Sequence, residues 1–212
     1  MNLLQAVNAT LTACSEATVT SVTVAPTAQT LKFTEFVKEA YREGNMLKRW
    51  PWQKGLTSVT AGATPELFVP AVSLLEISTV TYNGNVLSDR YTYEELTQIA
   101  PQLGAQTGTP THFAMRDFNT IYVFPQPVDV APETLVQVYG YQDIPDPALD
   151  TDVLAGPAAY HDAVVQMAYA IAKDKHFGSV SEASSARTLA VKMFRTVFAR
   201  SRRNKAAPRI RV

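Results

Sequence analysis

Hydrophobic positions along this chain recur first at helical spacing, then at every second residue, then at helical spacing again. Leu3, Leu4, Val7, Leu11 and Cys14 share one face, with Asn2 placed as a cap, which predicts a helix over residues 3–17. Residues 18–29 alternate Val with Thr and Ser before Pro26, and read as a loop or short extended segment. Phe33, Phe36, Val37, Ala40, Tyr41, Gly44 and Leu47 form the stripe of a second helix over 30–50, with Lys38, Glu39, Arg42 and Glu43 off it. Pro51 disfavours the helical conformation in the residue before it, so this helix should stop near Trp50.

From about residue 54 to 142 the period becomes two. Asn83-Gly84, set between Val80-Thr81-Tyr82 and Val86-Leu87, predicts a hairpin, because its turn needs positive φ. Thr92-Tyr93-Glu94-Glu95 reads as a capping box that opens a short helix to about Ala100. Thr111–Met115, Thr120–Phe124 and Leu135–Tyr141 read as strands, the last two joined by the Pro-rich 125–132 segment. Short strands at this spacing suggest a small antiparallel barrel or sandwich.

Helices return after Gly156-Pro157. Residues 158–176 are apolar on most faces, which predicts burial on several sides. Phe177-Gly178 ends that helix, and Ser179 with Glu182 should cap the next. There Ala186, Leu189, Ala190, Met193, Phe194, Val197 and Phe198 face inward, with Arg187, Lys192, Arg195 and Arg200 mostly elsewhere. The expected fold is α+β and mainly helical: a four-helix body with an antiparallel β module inserted between helices 2 and 3. The expected division is 1–53 and 143–203 as one helical body, 54–142 as the β module, and 204–212 as a basic C-terminal arm.

Composition bounds the function. The chain has 212 residues, 46% hydrophobic and 18% charged, enough to bury a core and too apolar for disorder. No basic stretch precedes an apolar one at the N-terminus, so no signal peptide is expected. The longest near-apolar run, about Val164 to Ala172, is half of what a bilayer needs, so no membrane partner is expected. Nineteen Lys+Arg balance nineteen Asp+Glu, which gives zero formal charge. The balance hides two blocks. Asp117, Asp129, Glu133, Asp143, Asp146, Asp150, Asp152 and Asp162 fall in a stretch without Lys or Arg. After Glu182 come only bases: Arg187, Lys192, Arg195, Arg200, Arg202, Arg203, Lys205, Arg209 and Arg211. Such asymmetry points to an interaction tail or charge-complementary assembly, set against the plainer reading of acids in loops and bases on a solvated helix face.

Chemistry-bearing motifs are missing. There is no GxGxxG, Walker-type loop, HExxH or Gly-x-Ser-x-Gly elbow. His112, His161 and His176 are scattered, and His161-Asp162 are helical neighbours that do not face each other. The single cysteine, Cys14, sits on an apolar stripe as a small core residue. Asp143, Asp146, Asp150 and Asp152 lack the Gly and closing Glu of an EF-hand loop. No catalytic residue, metal or cofactor is assigned. Trp50-Pro51-Trp52 reads either as a hydrophobic plug where a helix enters a sheet or as an aromatic anchor at a subunit contact.

The order of landmarks resembles the head-to-tail adaptor (connector) proteins that sit beneath the portal of tailed bacteriophages. The resemblance spans about residues 1–203. It runs from the N-terminal helix Asn2–Asn8, through the second helix ending in Tyr41–Trp52 and a strand at Leu67–Pro70. It continues through Gly108-Thr109-Pro110-Thr111-His112-Phe113 into Ile121-Tyr122-Val123-Phe124-Pro125-Gln126-Pro127, and closes on helices at Ala158–Lys175 and Glu182–Arg202. Residues 18–29 are richer in Thr and Val than the pattern, and the tail beyond Arg203 aligns with nothing in it.

The resemblance implies a virion neck protein, present in the host cytoplasm during assembly, that is no enzyme. It implies a dodecameric ring that binds the portal, meets the next tail or nozzle protein, extends the DNA channel and helps retain the genome. It implies an arm over residues 199–212 on the portal, with Arg200, Arg202, Arg203, Lys205, Arg209 and Arg211 meeting carboxylates and Ile210 and Val212 filling shallow pockets. The lumen should not grip the duplex DNA it passes, so the acid-rich stretch is its natural lining, with Asp129, Glu133, Asp143 and Asp146 as candidates. Two other readings compete: another neck component, such as a stopper or terminator, and a DNA-binding protein using the basic C-terminal helix.

Overall fold

A computed structural model describes residues 1–62, 64–99, 107–117, 119–129 and 131–203. In chain order it comprises α1 (Leu3–Ala13), α2 (Ala28–Leu47), β1 (Lys54–Ala61), β2 (Leu67–Pro70), β3 (Leu74–Tyr82), β4 (Asn85–Val86), α3 (Tyr93–Ile99), β5 (His112–Asp117), β6 (Thr120–Phe124), β7 (Val136–Gln142), α4 (Ala158–Lys175) and α5 (Val180–Arg203). The expected α+β class holds. The chain divides into a helical unit, Met1–Trp52 with Ile144–Val212, and a β unit, Gln53–Asp143. Ala100, the expected end of the short helix, and the arm 204–212 lie outside the described residues.

In the helical unit Asn2 caps α1 reciprocally: Gln5 N–H donates to Asn2 Oδ1 at 2.9 Å, and Asn2 N–H to Gln5 Oε1 at 3.0 Å. The helix stops at Ala13, short of residue 17, and Ser15 then adopts a φ of 62°. α2 starts at Ala28, because the Thr27 hydroxyl accepts the Thr30 N–H at 3.1 Å. It ends at Leu47, one turn before Trp50, with Lys48 extended. The reason is Trp50 itself, whose indole N–H donates to Gly44 O at 2.8 Å. That carbonyl belongs to the last turn, where helices leave acceptors unpaired.

α4 packs against α1, α2 and α5. Tyr160, His161, Ala163, Val164, Met167, Ala168, Ala170, Ile171 and Ala172 are all buried, as its nearly all-round apolar pattern predicts. α2 comes close to its neighbours at Gly44: a Cβ there would sit 2.8 Å from Phe194 and 2.9 Å from the Tyr160 hydroxyl. The Tyr160 hydroxyl donates to Asn45 Oδ1 at 2.6 Å, so the polar end of this buried ring is satisfied.

The segment between Ile144 and Pro157 straps the N-terminal region. Leu3 N–H bonds to Asp152 O at 3.0 Å and Leu154 N–H to Met1 O at 3.1 Å. His161 is buried beneath it: Nε2–H donates to Leu154 O at 2.9 Å, and Nδ1 faces the Met1 ammonium at 3.3 Å. Those partners select the neutral Nε2–H tautomer. Desolvation, opposed by the Leu154 bond and aided by the nearby ammonium, holds its pKa below 6.5.

The β unit is one antiparallel sheet in the order β4-β3-β7-β1-β2-β6-β5. β1 pairs with β7 over Lys54–Ser58 and with β2 over Val59–Ala61, so it passes from one half of the sheet to the other. The Asn83-Gly84 turn forms as predicted, with φ of 46° and 79° joining β3 to β4. After β4 the chain crosses between the two sheet edges. Leu87 N–H bonds to Val80 O on β3, while Ser88 N–H donates to Thr111 O and Ser88 O accepts from Phe113 beside β5, each at 2.9 Å. The sheet is therefore curled, and joined edge to edge at Leu87-Ser88. Val59, Phe68, Val80, Phe113, Ile121, Val123, Val136 and Val138 fill its interior. The capping box on α3 is present, with Glu95 accepting Thr92 N–H at 2.8 Å and Thr92 Oγ1 accepting Glu95 N–H at 3.3 Å.

Two consequences can be measured. Gly44→Ala gains about 1 kcal/mol of helix propensity, but overpacking against a ring typically costs about 1–3 kcal/mol. Denaturant unfolding should show net destabilisation; a gain would mean that Phe194 simply gives way. His161 binds a proton less readily in the folded than in the unfolded chain, so its contribution is complete above pH ~6.5 and is lost as pH falls through the depressed folded value. The thermal midpoint should drop between pH 7.5 and 5.5, and His161→Gln should flatten that drop. An equal slope in the variant would rule His161 out as the source.

Candidate functional site

The outward face of α5 is the most distinctive surface of the helical unit, and an aromatic cluster beneath it sets its position. Trp50 and Trp52 stack with centroids 4.8 Å apart and planes 14° from parallel. Tyr160 meets both edge-on, at 5.2 and 5.0 Å. Phe198 of α5 packs edge-on against Trp50 at 5.5 Å, and Phe194 lies tilted against Tyr160 at 5.3 Å. Trp50 is 0% exposed. Trp52 is half-buried, and its indole N–H has no acceptor among the described residues. Such rings contribute large apolar area and a further ~0.5–1.5 kcal/mol per favourable pair.

With Ala183, Ala186, Ala190, Phe194 and Val197 buried, helical geometry turns Arg187, Lys192, Arg195 and Arg200 outward, and all four are exposed. Leu189, expected to face inward, is 49% exposed. Arg187 is held by both Glu43 oxygens at 2.8 and 2.7 Å. Among the described residues no carboxylate pairs with Lys192, Arg195 or Arg200.

The acids of this unit are mostly committed inside it. Glu35, Glu39 and Glu43 follow one another at helical spacing on α2 and meet Lys38, Lys175 and Arg187, at 3.4, 2.6 and 2.7 Å. Glu182, expected in a capping box, instead meets Lys173 at 2.9 Å. Asp146 pairs with Arg42 at 3.1 Å. Asp150 accepts the Ser21 hydroxyl and the Val22 N–H at 2.5 and 2.9 Å, and those bonds hold its carboxyl below the usual range. Asp152 accepts the Ala148 and Leu149 N–H groups at 2.7 and 2.8 Å, with the same effect.

The remaining candidates are dispersed. Arg202 and Arg203 end α5, and their side chains are outside the described set, as are Lys205, Arg209, Ile210, Arg211 and Val212. Asp129, Glu133 and Asp143 belong to the β unit and Asp146 to the helical unit. Asp129 accepts the Tyr82 hydroxyl at 2.5 Å; burial first, then this carboxylate, pushes the Tyr82 pKa up. Glu133 sits in the Pro132–Thr134 turn, and Asp143 is exposed at the end of β7. Sequence reasoning missed the roles of Asp150 and Asp152 as loop holders, since their partners lie far away or on backbone groups that carry no residue signature. Among the described residues no group of His, Cys, Asp and Glu could hold a metal ion.

The family model described as SU10 adaptor protein matches residues 1–212. The chain belongs to the SU10 adaptor protein family. This membership agrees with the resemblance to phage head-to-tail adaptors and identifies a phage adaptor protein. No curated protein matches the chain.

The α5 face of this adaptor supports a direct test. Changing Lys192, Arg195 and Arg200 together to Gln removes no ion pair seen among the described residues, so the unfolding free energy should stay within ~0.5 kcal/mol of the parent. A loss of several kcal/mol would show that these cations stabilise the fold.

Proposed function

We propose that the protein is the structural head-to-tail adaptor of a tailed bacteriophage. It forms a dodecameric ring beneath the portal, extends the DNA channel, helps retain the genome and gives the tail its attachment site. The observation that carries this reading is the match of one adaptor family along the whole chain. It acts in the virion neck, assembles in the host cytoplasm and catalyses nothing. No described helix is long and apolar enough to cross a membrane.

In this reading, the C-terminal part of α5 and the residues beyond it bind the portal. Arg200, Arg202, Arg203, Lys205, Arg209 and Arg211 meet carboxylates, and Ile210 and Val212 fill pockets. The unpaired Lys192 and Arg195 extend the same basic face. Asp129, Glu133, Asp143 and Asp146 line a lumen that repels phosphate. The buried Trp50 serves the protomer's own core, while the half-buried Trp52 remains a candidate for a subunit contact. The unpaired α5 cations also favour one competitor, a protein that binds duplex DNA through that helix.

Deletion of Asn204–Val212 should weaken association with the portal roughly tenfold or more, while the thermal midpoint stays unchanged. Equal portal binding would remove the arm. Electron microscopy of the complex should show twelve subunits; a six-fold ring with no portal affinity would favour a terminator. Tight duplex binding by the isolated protein, falling steeply with salt, would favour the DNA reading.

A further inference from the structure

The curled sheet of the β unit is joined along only part of its seam. β4 is two residues long and covers β3 only at Thr81 and Tyr82. Leu87 and Ser88 then link β3 to β5, through Val80 on one side and through Thr111 and Phe113 on the other. Past this link the outer edge of β3, residues 74–79, and the outer edge of β5, residues 114–117, have no strand partner among the described residues. Between them lies an open groove of about 530 Å³ lined by both strands, with Asp89 and Tyr91 also in its wall. Strand edges of this kind are templates for an incoming chain, and proteins commonly blunt them. Here the blunting is partial: both strands carry register irregularities, at Leu74/Glu76 and Ile77/Thr79 of β3 and at Met115/Asp117 of β5.

We infer that this slot receives an extended segment of another protein, added as a strand between β3 and β5, in which apolar and basic side chains alternate. Apolar residues on one face of that strand would meet Leu75, Ile77, Phe113 and Met115, of which Met115 is 36% exposed. The charged lining consists of carboxylates only, those of Glu76, Asp89 and Asp117. Asp117 accepts the Asn119 N–H at 3.0 Å, which fixes its carboxylate at the groove end. Two cations lie nearby: Arg90, stacked 5.4 Å over the Tyr91 ring, and Arg116, beside Asp117 on β5. Neither lines the groove, so its wall favours a cationic strand. Main-chain bonds would supply affinity, and side-chain alternation would supply selectivity.

The full-length protein can be titrated with a fluorescent peptide of repeating Val-Arg pairs while amide hydrogen exchange is followed. The expected result is saturable binding, roughly tenfold tighter than for a Val-Glu repeat, with new protection confined to residues 74–79 and 114–117. Met115→Lys, at an exposed position, should abolish the binding without unfolding the chain. The inference fails if a peptide methylated on alternate backbone nitrogens binds equally well, if the Val-Glu repeat binds equally well, or if protection appears elsewhere. It also fails if both edges are protected before any peptide is added. A monomeric mass would then mean that the chain fills its own slot, and an oligomeric mass that a second copy does.

Discussion

The helical unit depends on the bond from the Trp50 indole to Gly44 O. The last turn of a helix leaves carbonyls without partners, and burying one unpaired costs about 1–3 kcal/mol. Trp50 satisfies Gly44 O at 2.8 Å and places a large ring at the same point in the core. Truncating such a ring in a packed core typically costs about 3–5 kcal/mol. The rest is arranged around these two demands. Gly44 must lack a side chain so that Phe194 and Tyr160 can approach. Trp52 stacks on Trp50, Tyr160 meets both edge-on, and Phe198 closes one side. Through Phe194 and Phe198 the cluster grips α5, so the rotation of that helix, and hence which cations face water, follows from core packing.

What was legible in the sequence was mostly local. Helical stripes, the Asn2 and Thr92 caps and the Asn83-Gly84 turn depend on neighbours within a few residues, and each formed where the pattern placed it. Errors arose where a distant group intervened. Pro51 correctly announces that α2 must end, but the end falls at Leu47 because Trp50 turns back to cap it. The alternating strands show a sheet, yet nothing in them shows that Leu87 and Ser88 bond to opposite edges, which decides how the sheet closes. The candidate site was less legible still. Residue types reveal the signs of the charges, whereas the partners that consume them lie up to 144 positions away, as for Arg187 and Glu43.

That last difference changes the meaning of the zero net charge. Exposed ion pairs add little stability, typically ~0–1 kcal/mol each and less with salt. The pairs of Glu39, Glu43, Asp146 and Glu182 therefore matter less for holding the helices together than for the charges they remove from view. Asp150 and Asp152 are likewise spent on loop backbone. What remains on this surface is a surplus that composition does not show: Lys192, Arg195 and Arg200 on one helix, without a carboxylate among the described residues. A surface meant only for solvation gains nothing from leaving cations unpaired on an otherwise well-paired unit. A surface that meets an acidic partner does, since long-range attraction speeds encounter and like charges reject wrong partners. The acids are thus absorbed within the subunit, and the bases are kept for contact with something else.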